Sequence, residues 1–183
     1  MTVRVYDYSG VPANVQAAAR DGVAAIFHRA GVELMWVDCP ITAPSNTRPA
    51  ACDIGPVQGL LTLKIVPESM AGGFRLPRDK FGLAVREYGA YVFFDRLRNH
   101  TAAKSLLLPP ILGIVTAHEL GHLLLEKGHS ATGLMAEGLL STQFRDAEKG
   151  VWPAFTLDQI AWIQRQPKPA LVAGAGSLPS GMN

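Results

Sequence analysis

The sequence has no apolar run of about 20 residues, so no segment of it is suited to cross a membrane as a helix. Charge of one sign is equally scarce. Seventeen lysines and arginines stand against 15 acidic residues, a formal net charge of +2. The basic residues are scattered, which argues against the clustered cationic face that a nucleic acid requires. Arg96 and Arg98, at the end of an apolar run, read as a solvated edge. The opening MTVRVYDYSG lacks the basic and apolar regions of a secretory leader. Two readings stay open: a cytoplasmic protein, or the mature form of a secreted or periplasmic one. Cysteine is nearly absent, with Cys39 and Cys52 closing the stretch CPITAPSNTRPAAC. That proline-rich, polar setting favours a Cys39–Cys52 disulfide over two reduced thiols, provided the compartment is oxidising.

The chain does have enough apolar material for a core. Over its 183 residues, 48% are hydrophobic and 17% charged, which fits one globular domain and excludes a disordered chain. The segment VRVYDY alternates and is rich in β-branched and aromatic residues, as a strand should be. Residues 13–31 place Val15, Ala18, Ala19, Val23, Ile26 and Phe27 at helical spacing, between Pro12 and Gly31. VELMWVDC and GLLTLKIVP read as further strands, and residues 68–80 as a surface loop. FGLAVREYG has the pattern of a short edge strand, and AYVFFDRL that of a strand. Pro109 and Pro110 suit the start of a helix, ILGIVTAHELGHLLLEK, whose apolar character on nearly all sides assigns it to the core. An irregular stretch then leads to FTLDQIAWIQRQ, a helix with Thr156 as N-cap and Gln159 completing a capping box. The expected fold is a mixed α/β sandwich over residues 1–166, with strands gathered in the first half. Residues 167–183 form a Pro/Gly/Ala/Ser tail expected to be disordered.

Chemistry concentrates in TAHELGHLLLEKGHSATGLM, which holds three of the five histidines. His118 and His122 are four apart and share one helix face, so two imidazoles can address one point. Zinc accepts imidazole nitrogen, and a catalytic zinc wants three protein ligands with an open place for water. Glu119 follows the first histidine, where its carboxylate can act as general base on that water without binding the metal. The third ligand should come from where the chain turns back. Gly128 offers that turn and His129 follows it, whereas Glu126 on the next helical turn converges poorly. Glu137 and Asp146 are alternative ligands. His28 and His100, the latter placed in a loop, read as surface or packing residues.

This segment resembles the metzincin zinc endopeptidases, whose signature H-E-x-x-H-x-x-G-x-x-H precedes a methionine turn. HELGH matches its first half, and GHSATGLM is similar to its end. The resemblance implies His118, His122 and His129 as zinc ligands and Glu119 as general base. It also implies Met135 as the floor of the site, and a zincin-like fold with a twisted sheet and a final helix. His129 lies seven residues after His122 where the family has six, and Leu125 stands at the usual glycine. The chain is thus similar to a divergent, bacterial-like branch, in which the helix is expected to run further before Gly128 breaks it. The tyrosine that some members place after the methionine is replaced by Ala136 and Glu137. The implied function is a monomeric zinc endopeptidase acting on a peptide or protein substrate bound in extended form along an edge strand. The alternative is a catalytically silent metal-binding or partner-binding domain on the same scaffold.

Overall fold

The computed structural model describes residues 1–126, 128–138 and 141–166. The first strand, β1 (Thr2–Asp7), buries Val3 and Val5 on one face and turns Arg4 and Tyr6 to the other. Helix α1 (Ala13–His28) returns the chain to β2 (Met35–Asp38), which pairs with β1 in parallel. Strand β3 (Leu60–Val66) lies parallel on the other side of β1. A hairpin of β4 (Gly82–Val85) and β5 (Gly89–Phe93) completes the sheet, giving the order β2-β1-β3-β5-β4 with β4 alone antiparallel. Thus β4 is an edge strand, in line with its sequence pattern.

Between β2 and β3 the chain crosses the polar face of the sheet, held by a Cys39–Cys52 disulfide. Arg4 and Tyr6 anchor this loop from β1. Arg4 Nη1 donates to the carbonyl oxygens of Ala51 and Ile54, and Tyr6 OH donates to that of Cys52.

Three elements depart from the sequence expectations. The segment 68–80 is not wholly loop: Glu68–Ala71 form a short helix, α2, followed by one 3₁₀ turn. Its first amide, Glu68 N, is capped by Asp95 Oδ2 at 2.9 Å. The strand expected over AYVFFDRL ends at Phe93, and helix α3 (Phe94–Lys104) begins at the next residue. Phe94, Leu97 and Thr101 are buried at spacings of three and four, a helical pattern hidden behind a run of strand-forming residues. His100 therefore sits on a helix, between Phe81 and Phe144, rather than in a loop. Arg96 likewise is no solvated edge. It is buried, donating to both Glu68 carboxylate oxygens and to the carbonyls of Pro77 and Lys80. Arg98 remains exposed beside Asp95.

Helix α4 (Leu108–Leu124) runs through the core with every residue from Ile111 to Gly121 buried. Pro109 and Pro110 occupy its first turn, where missing amide hydrogens cost nothing. A short helix missed in the sequence, α5 (Ser141–Ala147), packs Phe144 and Ala147 against the core. Helix α6 (Leu157–Arg165) has the expected capping box between Thr156 and Gln159. The tail 167–183 lies outside the described residues.

Replacing Cys39 and Cys52 by serine opens a cross-link that spans 13 residues. The expected cost is about 3 kcal/mol of unfolding free energy, read by urea denaturation. An unchanged midpoint would mean that the Arg4 and Tyr6 bonds alone hold the loop.

Candidate metal centre

Helix α4 carries His118 and Glu119 into the core, 7% and 8% exposed, and leaves His122 half-buried one turn on. The helix ends at Leu124. Leu125 is already extended, at φ −99° and ψ 138°, so the break comes before Gly128 rather than at it. Two side chains collect the carbonyls left free at that end: Trp162 Nε1 donates to Leu124 O and Arg86 Nη2 to Leu125 O. The extra residue between His122 and His129 is thus taken up outside the helix.

Beyond His129 the chain doubles back beneath α4. Ser130 N donates to Met135 O at 2.8 Å, closing a tight turn, and Leu134 N donates to Ala154 O at 2.7 Å. Met135 is fully buried directly under Gly121. A Cβ at position 121 would stand 2.6 Å from Met135 Sδ and 3.0 Å from Phe155 Cε1, which is why this helical turn carries glycine.

The three imidazoles converge. Their ring centroids are 4.7 Å (118–122), 5.4 Å (118–129) and 4.8 Å (122–129) apart. One ligand atom from each lies within 4.8 Å of the others. His118 Nδ1 lies 2.7 Å from Leu134 O, an atom that only accepts, so the proton sits on Nδ1 and Nε2 keeps its lone pair. That Nε2 is 3.0 Å from Nε2 of His122. Two nitrogens bound tetrahedrally at zinc distances are about 3.4 Å apart, close to this spacing. Burial pushes both imidazoles toward the neutral, ligating form. It lowers His118 below the usual histidine value and His122 to about 4, with mutual repulsion among the histidines adding to the effect. The donor set fits zinc.

Glu119 stands beside this cluster. Desolvation raises its carboxyl to about 8, opposed by the positive charge of Lys80. Among the described residues it has no hydrogen-bond partner, and it lines an open cleft of ≈ 580 Å³ with the three histidines. The edge strand makes room for it: a Cβ on Gly82 would fall 2.5 Å from Glu119 Oε1.

The remaining candidates separate cleanly. Glu137 and Glu126 line the cleft but stand outside the histidine cluster. Asp146 pairs with Lys149 on the far end of α5. His28 is exposed and bonded to Glu33. Sequence reasoning missed Gly82, Lys80 and Phe144 as cleft residues. The glycine at the head of an edge strand was the one available signal.

No family model matches the sequence, and no curated protein does either. Among solved structures the chain is similar to an archaemetzincin from Methanopyrus kandleri, with a TM-score of 0.55 at 16% identity. The match covers 90% of this chain and 94% of that one. The fold is archaemetzincin-like. At this identity the likeness concerns architecture alone. Among the described residues no helix is long and apolar enough to cross a membrane.

Gly121→Ala is expected to destabilise the protein by about 1–3 kcal/mol through overpacking against Met135 and Phe155. Chemical denaturation checks this. A neutral substitution would mean that the turn beneath α4 shifts freely and does not brace the histidines.

Proposed function

We propose that the chain is a zinc-dependent endopeptidase of metzincin type, with residues 1–166 as one catalytic domain and 167–183 as an appended tail. The observation that carries this reading is the three-histidine cluster lying in an open cleft beside a buried glutamate that has no hydrogen-bond partner among the described residues. His118, His122 and His129 would hold the zinc, which when bound supplies Lewis acidity with a coordination position left open. The other parts belong to the chain itself. In its carboxylate form, which the charge of a bound zinc would favour against the desolvation, Glu119 accepts the proton of the attacking water and passes it to the departing amine. Gly82 leaves the carboxylate its place against the strand. The Leu134 carbonyl holds His118 in the tautomer that presents Nε2. Met135 braces the helix from below in the manner of a methionine turn.

The free side of β4 borders the cleft through Gly82, Leu83 and Ala84. A peptide in extended form adds to it as one more strand, which holds the scissile bond near Glu119. The likeness to archaemetzincin supports the reading at the level of fold.

Glu119→Gln is expected to lower kcat on quenched fluorogenic peptides by roughly 10²–10⁴ while zinc content is unchanged. His122→Ala is expected to lose the zinc, measured by atomic emission after dialysis. Full activity in Glu119→Gln would overturn the general-base assignment. A zinc-loaded wild-type protein silent on a broad peptide panel would leave a metal-binding or partner-binding domain.

A further inference from the structure

The cleft wraps over the free edge of β4. Gly82 and Ala84 line it from the face that meets α4, where a Cβ on Gly82 would lie 2.5 Å from Glu119 Oε1. Leu83 and Leu76 line it from the other face of the sheet. There they belong to a second apolar cluster, separate from the main core, in which Val66, Ala71 and Phe93 are buried. Leu83 sits beside Tyr91 in the ladder, and the Phe74 ring stands edge-on to Tyr91 at 4.8 Å. Arg75, at φ 53°, turns the chain so that Leu76 comes back onto the same surface. Leu76 and Leu83 are both half-buried, so an apolar ledge lies at the rim of the cleft.

The register of β4 decides what that ledge meets. Phe93 N donates to Phe81 O at 2.8 Å, so Phe81 turns its backbone polar groups toward β5. By the alternation of an antiparallel ladder, Leu83 does the same opposite Tyr91. The N–H and C=O groups of Gly82 and Ala84 therefore point to the free side. A peptide added there bonds to Gly82 and Ala84, and one of its residues stands across from Leu83. Paired residues of neighbouring strands send their side chains to the same face. The peptide residues across from Gly82 and Ala84 thus face α4 and Glu119, and the one between them projects onto the ledge.

We propose that the ledge of Leu76 and Leu83 selects the substrate: the peptide residue paired with Leu83 is a large apolar one, such as leucine, isoleucine or phenylalanine. The inference rests on the peptidase reading and deepens it. Main-chain pairing gives affinity for any extended peptide, while the alternate side chains give selectivity. The ledge lies on the face of the sheet away from Glu119, so it holds the bound peptide and the transition state alike. Losing the contact therefore raises KM and leaves kcat in place. Leucine at that position covers apolar surface on both partners where alanine leaves it wet, which is worth roughly tenfold in kcat/KM. A carboxylate placed there would lose water without gaining a partner and is selected against.

The experiment starts from the best peptide found for the zinc-loaded wild type in a mixed-sequence fluorogenic library. Each residue flanking the cut is replaced singly by leucine, alanine and glutamate, and the series is run on wild type, Leu83→Ala and Leu83→Lys. In wild type, one position within about two residues of the cut is expected to prefer leucine over alanine by roughly tenfold in kcat/KM, carried by KM, and to reject glutamate. Leu83→Ala should flatten that preference. Leu83→Lys should turn it toward glutamate at the same position, with zinc content and preferences elsewhere unchanged. A gain on glutamate peptides does not arise from a damaged fold, so it separates selection from support of the strand. Unaltered preferences at every position in both variants overturn the inference, as does a wild type indifferent to apolar residues near the cut. Losses spread evenly over the whole peptide series overturn it too, and would make Leu83 a structural support for β4. A wild-type protein that binds zinc yet cleaves nothing fails earlier and overturns the peptidase reading together with this inference.

Discussion

The hydrogen bond between His118 Nδ1 and the Leu134 carbonyl joins the buried helix α4 to the turn beneath it, and the site is organised around it. Inside a low-dielectric core such a bond costs a great deal to leave unmade. It settles the imidazole tautomer, aims Nε2 at the point shared with His122 and His129, and ties the turn to the helix one residue before Met135. That turn is itself held by Leu134 N on Ala154 O, just ahead of the capping box of α6. The final helix is thereby linked to the histidine cluster through a short chain of backbone hydrogen bonds. A change at Leu134 or Ala154 reaches the imidazoles without touching them.

Above the helix the constraint is steric. Glu119 needs a place in the core where its carboxylate can open to the cleft without a permanent partner, and the edge strand leaves it by carrying glycine at position 82. Strand β4 can be so close because β5 pairs its other side and continues straight into α3, whose Arg96 fixes the turn leading into β4. An unpaired carboxylate at 8% exposure is costly for folding. Such groups recur where reaction chemistry draws on them.

Much of this was legible in the sequence where one physical signal acted alone. The alternation of VRVYDY, the all-round apolar face of α4, the edge position of FGLAV and the Thr156–Gln159 capping box each map onto observed elements. Elements set by tertiary contacts were not legible. Helix α3 begins inside a strand-forming run because Asp95 caps α2 and Arg96 is satisfied by four acceptor atoms that lie far off in the sequence. Among the described side chains of helix α5 only Phe144 and Ala147 are buried, too few to give a period. The histidine spacing showed that His118 and His122 share a face, but not where α4 stops. Leu124 is its last residue because Arg86 and Trp162, from distant segments, take up the carbonyls there. The role of Gly82 belongs to the packing of strand against helix, which no local pattern reports.

The most direct test of the account is anomalous diffraction at the zinc absorption edge from crystals of the zinc-loaded protein. The account predicts one strong peak about 2 Å from a ring nitrogen of each of His118, His122 and His129, with the Glu119 carboxylate beside it and unbound. A peak that omits His129 in favour of Glu137 or another carboxylate would contradict the ligand set, and no peak at the cluster would contradict the metal centre itself.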